Sequence, residues 1–176
     1  MIAVSENYLN TVYGSSVVSE WSGNIRTVNG VVYQITPSVI VEKSLKVTRQ
    51  ICSKAEDLQI GTTCSAQLDV SLYLENLSRY ELMNAVVTLN YRVLIGEDVW
   101  EEIPIGIFTI TEPPERSRDV IKISAFDNML KFNKDFGRTM QGRPYNILSL
   151  ACQDCGVTLG TTMEEIESYP NGQVET

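Results

Sequence analysis

Histidine is absent from all 176 residues. That gap excludes Ser/His/Asp and Cys/His nucleophilic sites, histidine-based zinc catalysis and the side chain that ordinarily titrates near neutral pH. No apolar run approaches the ~18 residues a membrane-spanning helix needs, so no membrane partner is expected. The start MIAVSENYLN has neither a basic n-region nor an apolar h-region, and the chain is expected in the cytoplasm when made. No glycine loop of the phosphate-binding kind is present. Cations are scarce: 14 Lys and Arg against 22 Asp and Glu leave a formal net charge of −8, which repels nucleic-acid phosphates and argues against specific nucleic-acid binding. Only 4 cysteines occur, and without a secretory signal they read as reduced thiols rather than a disulfide framework.

What remains is an ordinary globular composition, 43% hydrophobic and 20% charged, long enough for one good core or one domain and the start of another. VSENYLNTVYG predicts a short helix with Tyr8, Leu9, Val12 and Tyr13 on one face, Ser5 as its cap and Gly14 as its end. In NIRTVNGVVYQIT two β-rich runs flank Asn29-Gly30, the pair favoured by a two-residue type I′ turn. AQLDVSLYL alternates, with Ala66, Leu68, Val70, Leu72 and Leu74 pointing one way. AVVTLNYRVLIG does the same through Val87, Leu89, Tyr91, Val93 and Ile95. IPIGIFTITEPPERSRDVIKISAFD predicts two more strands joined by a charged turn at Pro113 and Pro114. NMLKF then suits a brief helix capped by Asp127, and PYNILSLACQDCG a longer one with Pro144 in its first turn and Gly156 as its stop. The order of elements predicts a mainly β (α+β) chain: an antiparallel β-barrel- or sandwich-like domain with short peripheral helices.

Chemistry-bearing residues are few. Cys152 and Cys155 fall on one stripe with Ile147, Leu148 and Ala151, just ahead of a C-terminal glycine, where the helix dipole opposes thiolate formation; packing explains them better than redox work. A zinc site would have to recruit Cys52 and Cys64, whose spacing matches no standard knuckle, so no metal and no cofactor are expected. Asp127 lacks a second carboxylate at useful spacing, and a small carboxylate hydrolase would need one close in space. No catalytic residue is assigned. Arg116 and Arg118, among Glu112, Glu115 and Asp119, read as a solvated hairpin tip, and Trp21 and Trp100 as half-buried strand residues. Lys131, Lys134, Arg138 and Arg143, opposed only by Asp135, form the one locally positive segment. Solvated surface is the plain reading of it; contact with an acidic neighbour is the functional one, with Lys131, Lys134 and Arg138 as the candidate residues.

Three stretches together, SLKVTRQICSKAEDLQIGTTCSAQLDVSLYL, IPIGIFTITEPPERSRDVIKISAFDNMLKFNKDF and NILSLACQDCGVTLGTT, resemble in content and order the N-terminal part of the baseplate hub, or prophage tail protein, of phages and prophages of Gram-positive bacteria. The opening MIAVSENYLNTVYGSS is similar to the usual start of such proteins. The resemblance implies a first β-barrel-like hub domain with an N-terminal helix over residues 1–140, and a helix leading into a second, truncated hub domain over 141–176. It further implies a homotrimer that closes the tail tube at the tail tip and docks to distal tail, tail tube and tape-measure proteins, after assembly in the host cytoplasm. It implies no catalysis by these residues. The alternative is a carbohydrate-binding β module of a cell-wall-associated protein, for which Tyr73, Tyr80 and Tyr91 are the available aromatic set.

Overall fold

The computed structural model describes residues 4–49, 65–74, 77–134, 136–137, 142–160 and 162–167. Contacts divide the chain into two units, Met1–Asn128 and Met129–Thr176. In the first, helix α1 (Glu6–Val12) precedes strands β1 (Ser19–Arg26), β2 (Val32–Ile35), β3 (Lys46–Thr48) and β4 (Gln67–Tyr73). A 3-10 turn at Arg79–Leu82 leads to β5 (Val86–Gly96), β6 (Val99–Thr109), β7 (Glu115–Ser117) and β8 (Val120–Phe126). The 8 strands form one antiparallel sheet in the order β2-β1-β5-β6-β8-β4-β3, with β7 added on β8.

Alternation decides which face is buried. On β4, Leu68, Val70 and Leu72 are buried, and they stand opposite Ala125, Ile123 and Ile121 of β8. From the other half of the sheet come Ile25, Ile35, Val87 and Leu89, with Phe108 near the junction, and all of these join a single core. The two halves therefore face one another across shared apolar side chains, and the fold is the mainly β one that the sequence predicts. Each such Leu, Ile or Val contributes roughly 1.5–3 kcal/mol by leaving water.

Strand β6 carries an irregularity. Leu89 pairs with Gly106 and Asn90 with Pro104, so Ile105 is an extra, unpaired residue. A bulge is one of the few places where proline fits a sheet, because its missing N–H removes no ladder bond there. The Arg49 guanidinium donates to the Ile105 carbonyl. Beyond β5, the other edge of β6 meets β8 only at Thr109↔Phe126 among the described residues.

Three local expectations need correction. The β1–β2 hairpin lies where Asn29-Gly30 places it, but its loop is residues 28–30: Thr27 N–H donates to Val31 O at 2.9 Å and Gly30 N–H to Thr27 O at 3.0 Å. Gly30 has φ 83, whereas Asn29 is not among the positive-φ residues, so the type I′ turn, which needs both, is not formed. The Thr27 hydroxyl accepts from Val31 N–H at 3.1 Å, filling the place a shorter loop would give to the backbone. Next, the charged segment after β6 is not a simple turn. Glu115–Ser117 pairs with β8 as β7, and the chain reverses at Arg118, φ 55, and Asp119. Finally, α1 is capped by Ser5 as expected, but its apolar face is not buried: Tyr8 is half-buried while Leu9, Val12 and Tyr13 are exposed. The helix rests on β5, whose Val93 is fully buried, and is held from its start by Glu101.

The second unit holds α2 (Pro144–Cys155) and α3 (Met163–Glu167), which pack together. Pro144 opens α2 and Gly156, φ 62, closes it. Val157 N–H donates to Cys152 O at 2.9 Å and Gly156 N–H to Gln153 O at 3.1 Å, the paired bonds of a Schellman end. Thr162 and Glu165 form a reciprocal capping box on α3.

Candidate functional site

The locally positive segment begins on a 3-10 helix, Asn128–Phe132, and runs into the loop that follows. Lys131 is exposed, and its carbonyl accepts from Cys155 Sγ at 3.3 Å. Lys134 turns back on its own unit: Nζ donates to the Asp154 carbonyl at 2.6 Å, where a cation complements the negative end of α2, and lies 5.9 Å from the Phe136 ring centroid. Arg138 lies outside the described residues. The structure thus gives Lys134 an intramolecular partner and leaves Lys131 facing solvent.

Cys152 and Cys155 are buried free thiols on α2, as the apolar stripe predicts, but Leu148 of that stripe is exposed. Cys52 and Cys64 lie outside the described residues, and among those described no three Cys, Asp or Glu side chains gather to hold a metal. Asp127 is half-buried at the end of β8, its N–H donating to Ala66 O at 3.0 Å.

The three tyrosines separate into two sets. Tyr91 is half-buried against Trp21, ring centroids 5.0 Å apart. Beside it in the sheet, on the opposite face, Arg92 pairs with Glu20, reaches Glu102 at 3.7 Å and stands 4.9 Å over the Trp100 ring. Trp21 and Trp100 are both half-buried, as predicted. Arg92 lies between Glu20 and Glu102 and is ion-paired with both. Tyr73 and Tyr80, by contrast, are 51% and 64% exposed.

Tyr80 adjoins Arg79 and Tyr73 pairs with Val120, two residues that line a feature no single segment announces. An open groove of about 510 Å³ lies between β4, β7, β8 and the Arg79–Leu82 turn, with Ser71, Ser117 and Val120 in its wall. Arg79, Arg116 and Lys122 supply three cations to it against one carboxylate, Glu115. Lys122 Nζ is 3.7 Å from Glu115. Arg116 Nε donates to Arg118 O at 2.8 Å and its NH1 to Leu77 O, so this side chain ties the β7–β8 hairpin to the residues before the 3-10 turn. Arg79 donates to Tyr80 Oη at 2.9 Å and stands 4.9 Å over that ring. Tyr73 pairs in register with Val120, and it shares the outward face of β4 with Ser71.

No protein-family profile matches the sequence, and no curated protein does. Among solved structures, the fold is similar to that of a chain in the virion of a native gene transfer agent particle, with a TM-score of 0.51 at 12% sequence identity. The likeness covers 77% of this chain and 49% of the other, so this chain spans about half the length of the chain it matches.

Proposed function

We propose that this chain is a structural component of a phage-like virion, and more specifically the N-terminal part of a baseplate hub at the tail tip. In this reading it works as a homotrimer that closes the tail tube, docks to distal tail and tube proteins, and performs no catalysis of its own. The observation that carries the reading is the fold shared with a virion chain over 77% of the length. Two further facts support it. The stretches resembling tail hub proteins span both the β unit and α2. The chain's chemistry also suits interfaces: it has no histidine, and Glu20 and Glu102 are ion-paired with Arg92. A net charge of −8 would in addition discourage DNA from adhering to a lumen that it must traverse.

Immunogold electron microscopy of particles made by the source strain tests this directly, using antibodies against the β5–β6 hairpin. Gold confined to one end of the tail supports a hub. Gold spread over the capsid or along the tube, or no labelling of particles that do contain the protein, overturns it. Light scattering on the whole gene product tests the oligomer, and a monomer under all conditions overturns the trimer.

A further inference from the structure

We propose that the groove between β4, β7 and β8 binds an anionic saccharide. Lys122 and Arg79 would meet its acid group, and the exposed ring of Tyr73 would stack on a sugar face. The inference stands apart from the virion reading, since it concerns a ligand site within the first unit whatever assembly that unit joins.

The first argument is charge. A chain of net charge −8 places three cationic side chains and a single carboxylate around one concavity. Two of the cations are already oriented: Arg116 by the Leu77 and Arg118 carbonyls, Arg79 by the Tyr80 ring. Fixing them before a ligand arrives reduces the ordering entropy lost on binding. Among the described residues, Lys122, with its side chain 65% exposed and Glu115 at 3.7 Å as its ion-pair partner, is the cation best placed to swing to a ligand.

About 510 Å³ accommodates one or two sugar rings. Tyr73 follows Ser71 by one strand period on the same face, so a ligand lying along β4 would meet a hydroxyl and then an aromatic plane. Ser117 on β7 adds a second hydroxyl to the lining. A neutral glycan would offer the net positive charge of the lining no anion to meet, and an acidic peptide would offer the open ring no sugar face. An acidic sugar uses both.

Isothermal titration calorimetry at low ionic strength tests this with trigalacturonic acid and glucose 1-phosphate as carboxylate and phosphate probes, and with maltotriose and tetraglutamate as neutral and peptide comparators. The expected result is that at least one acidic saccharide binds about tenfold or more tightly than either comparator, with the stronger of the two identifying the acid group preferred. Lys122→Gln and Tyr73→Ala should each weaken that binding about tenfold with melting temperatures unchanged, while Arg26→Gln, exposed at the end of β1 and outside the groove lining, should have no effect. Equal binding of maltotriose or tetraglutamate overturns the proposal. So does binding that survives both variants, or no binding of either acidic probe. None of these failures would alter where antibodies label the particle.

Discussion

The Glu101 carboxylate takes the Ser5 backbone N–H at 2.8 Å and also accepts from the Ser5 hydroxyl, which in turn accepts from Tyr8 N–H at 3.1 Å. One acid on β6 thereby fixes the cap of a helix 96 positions earlier in the chain. Because α1 buries no residue fully, this link supplies much of its attachment. Glu101→Ala should lower stability by about 1 kcal/mol and, more tellingly, expose residues 5–13 to limited proteolysis. Unchanged cleavage in that segment would show that packing against β5 suffices.

Gly30→Val should cost about 1 kcal/mol or more in a denaturant titration, whereas Asn29→Ala should cost little. Nothing lies within 4 Å of a Cβ added at Gly30, so the penalty comes from φ 83 alone. Equal costs at the two positions would restore the two-residue turn.

Gly23→Ala should be more damaging, about 3 kcal/mol, since the new Cβ would meet the Thr88 carbonyl oxygen at 2.2 Å. The obstacle is the backbone of β5, which cannot turn aside as a side chain can. Thermal unfolding of the purified variant measures it, and a wild-type melting temperature would contradict the closeness of the two strands.

At the thiols, Cys155→Ser should cost about 1 kcal/mol and Cys152→Ser roughly 2 kcal/mol, because a hydroxyl at 155 can keep donating to the Lys131 carbonyl. Both native thiols should react slowly with a thiol reagent until the protein is denatured. The reverse order of cost would place the polar contact on the wrong sulfur.

Lys134→Glu should lower the melting temperature of the second unit by putting an anion beside the Asp154 carbonyl, and Lys131→Glu should not. If Lys131 touches a partner, its reversal should instead impair particle assembly, counted by electron microscopy. A Lys131→Glu virus or prophage that assembles normally removes that residue from any interface.

The strands were legible because burial on one face imprints a two-residue period, and Leu68, Val70 and Leu72 keep it without interruption. The caps at Ser5 and Gly156 were legible because they are local. What escaped depends on partners far off in sequence. Strand β7 carries only charged and polar residues, Glu115, Arg116 and Ser117, so nothing in its pattern announces pairing with β8. Gly23 answers to how closely β5 approaches β1, and the Ile105 bulge to the register in which β6 pairs with β5. The groove is the clearest case. Arg79, Arg116 and Lys122 belong to three separate segments, and they converge only because β4 pairs with β8 across the intervening hairpins. The adjacent Arg79 and Tyr80 were the one cue available beforehand.

The bulge beside Pro104 bears on how a further strand could add to β6. An exposed strand edge invites a second edge to continue the ladder, the usual route to uncontrolled aggregation. On β6 that template is spoiled twice, by a proline with no hydrogen to give and by an Arg49 guanidinium on the Ile105 carbonyl. Lengthening of the ladder through β6 by an incoming strand is thereby discouraged, which closes one route to unlimited growth.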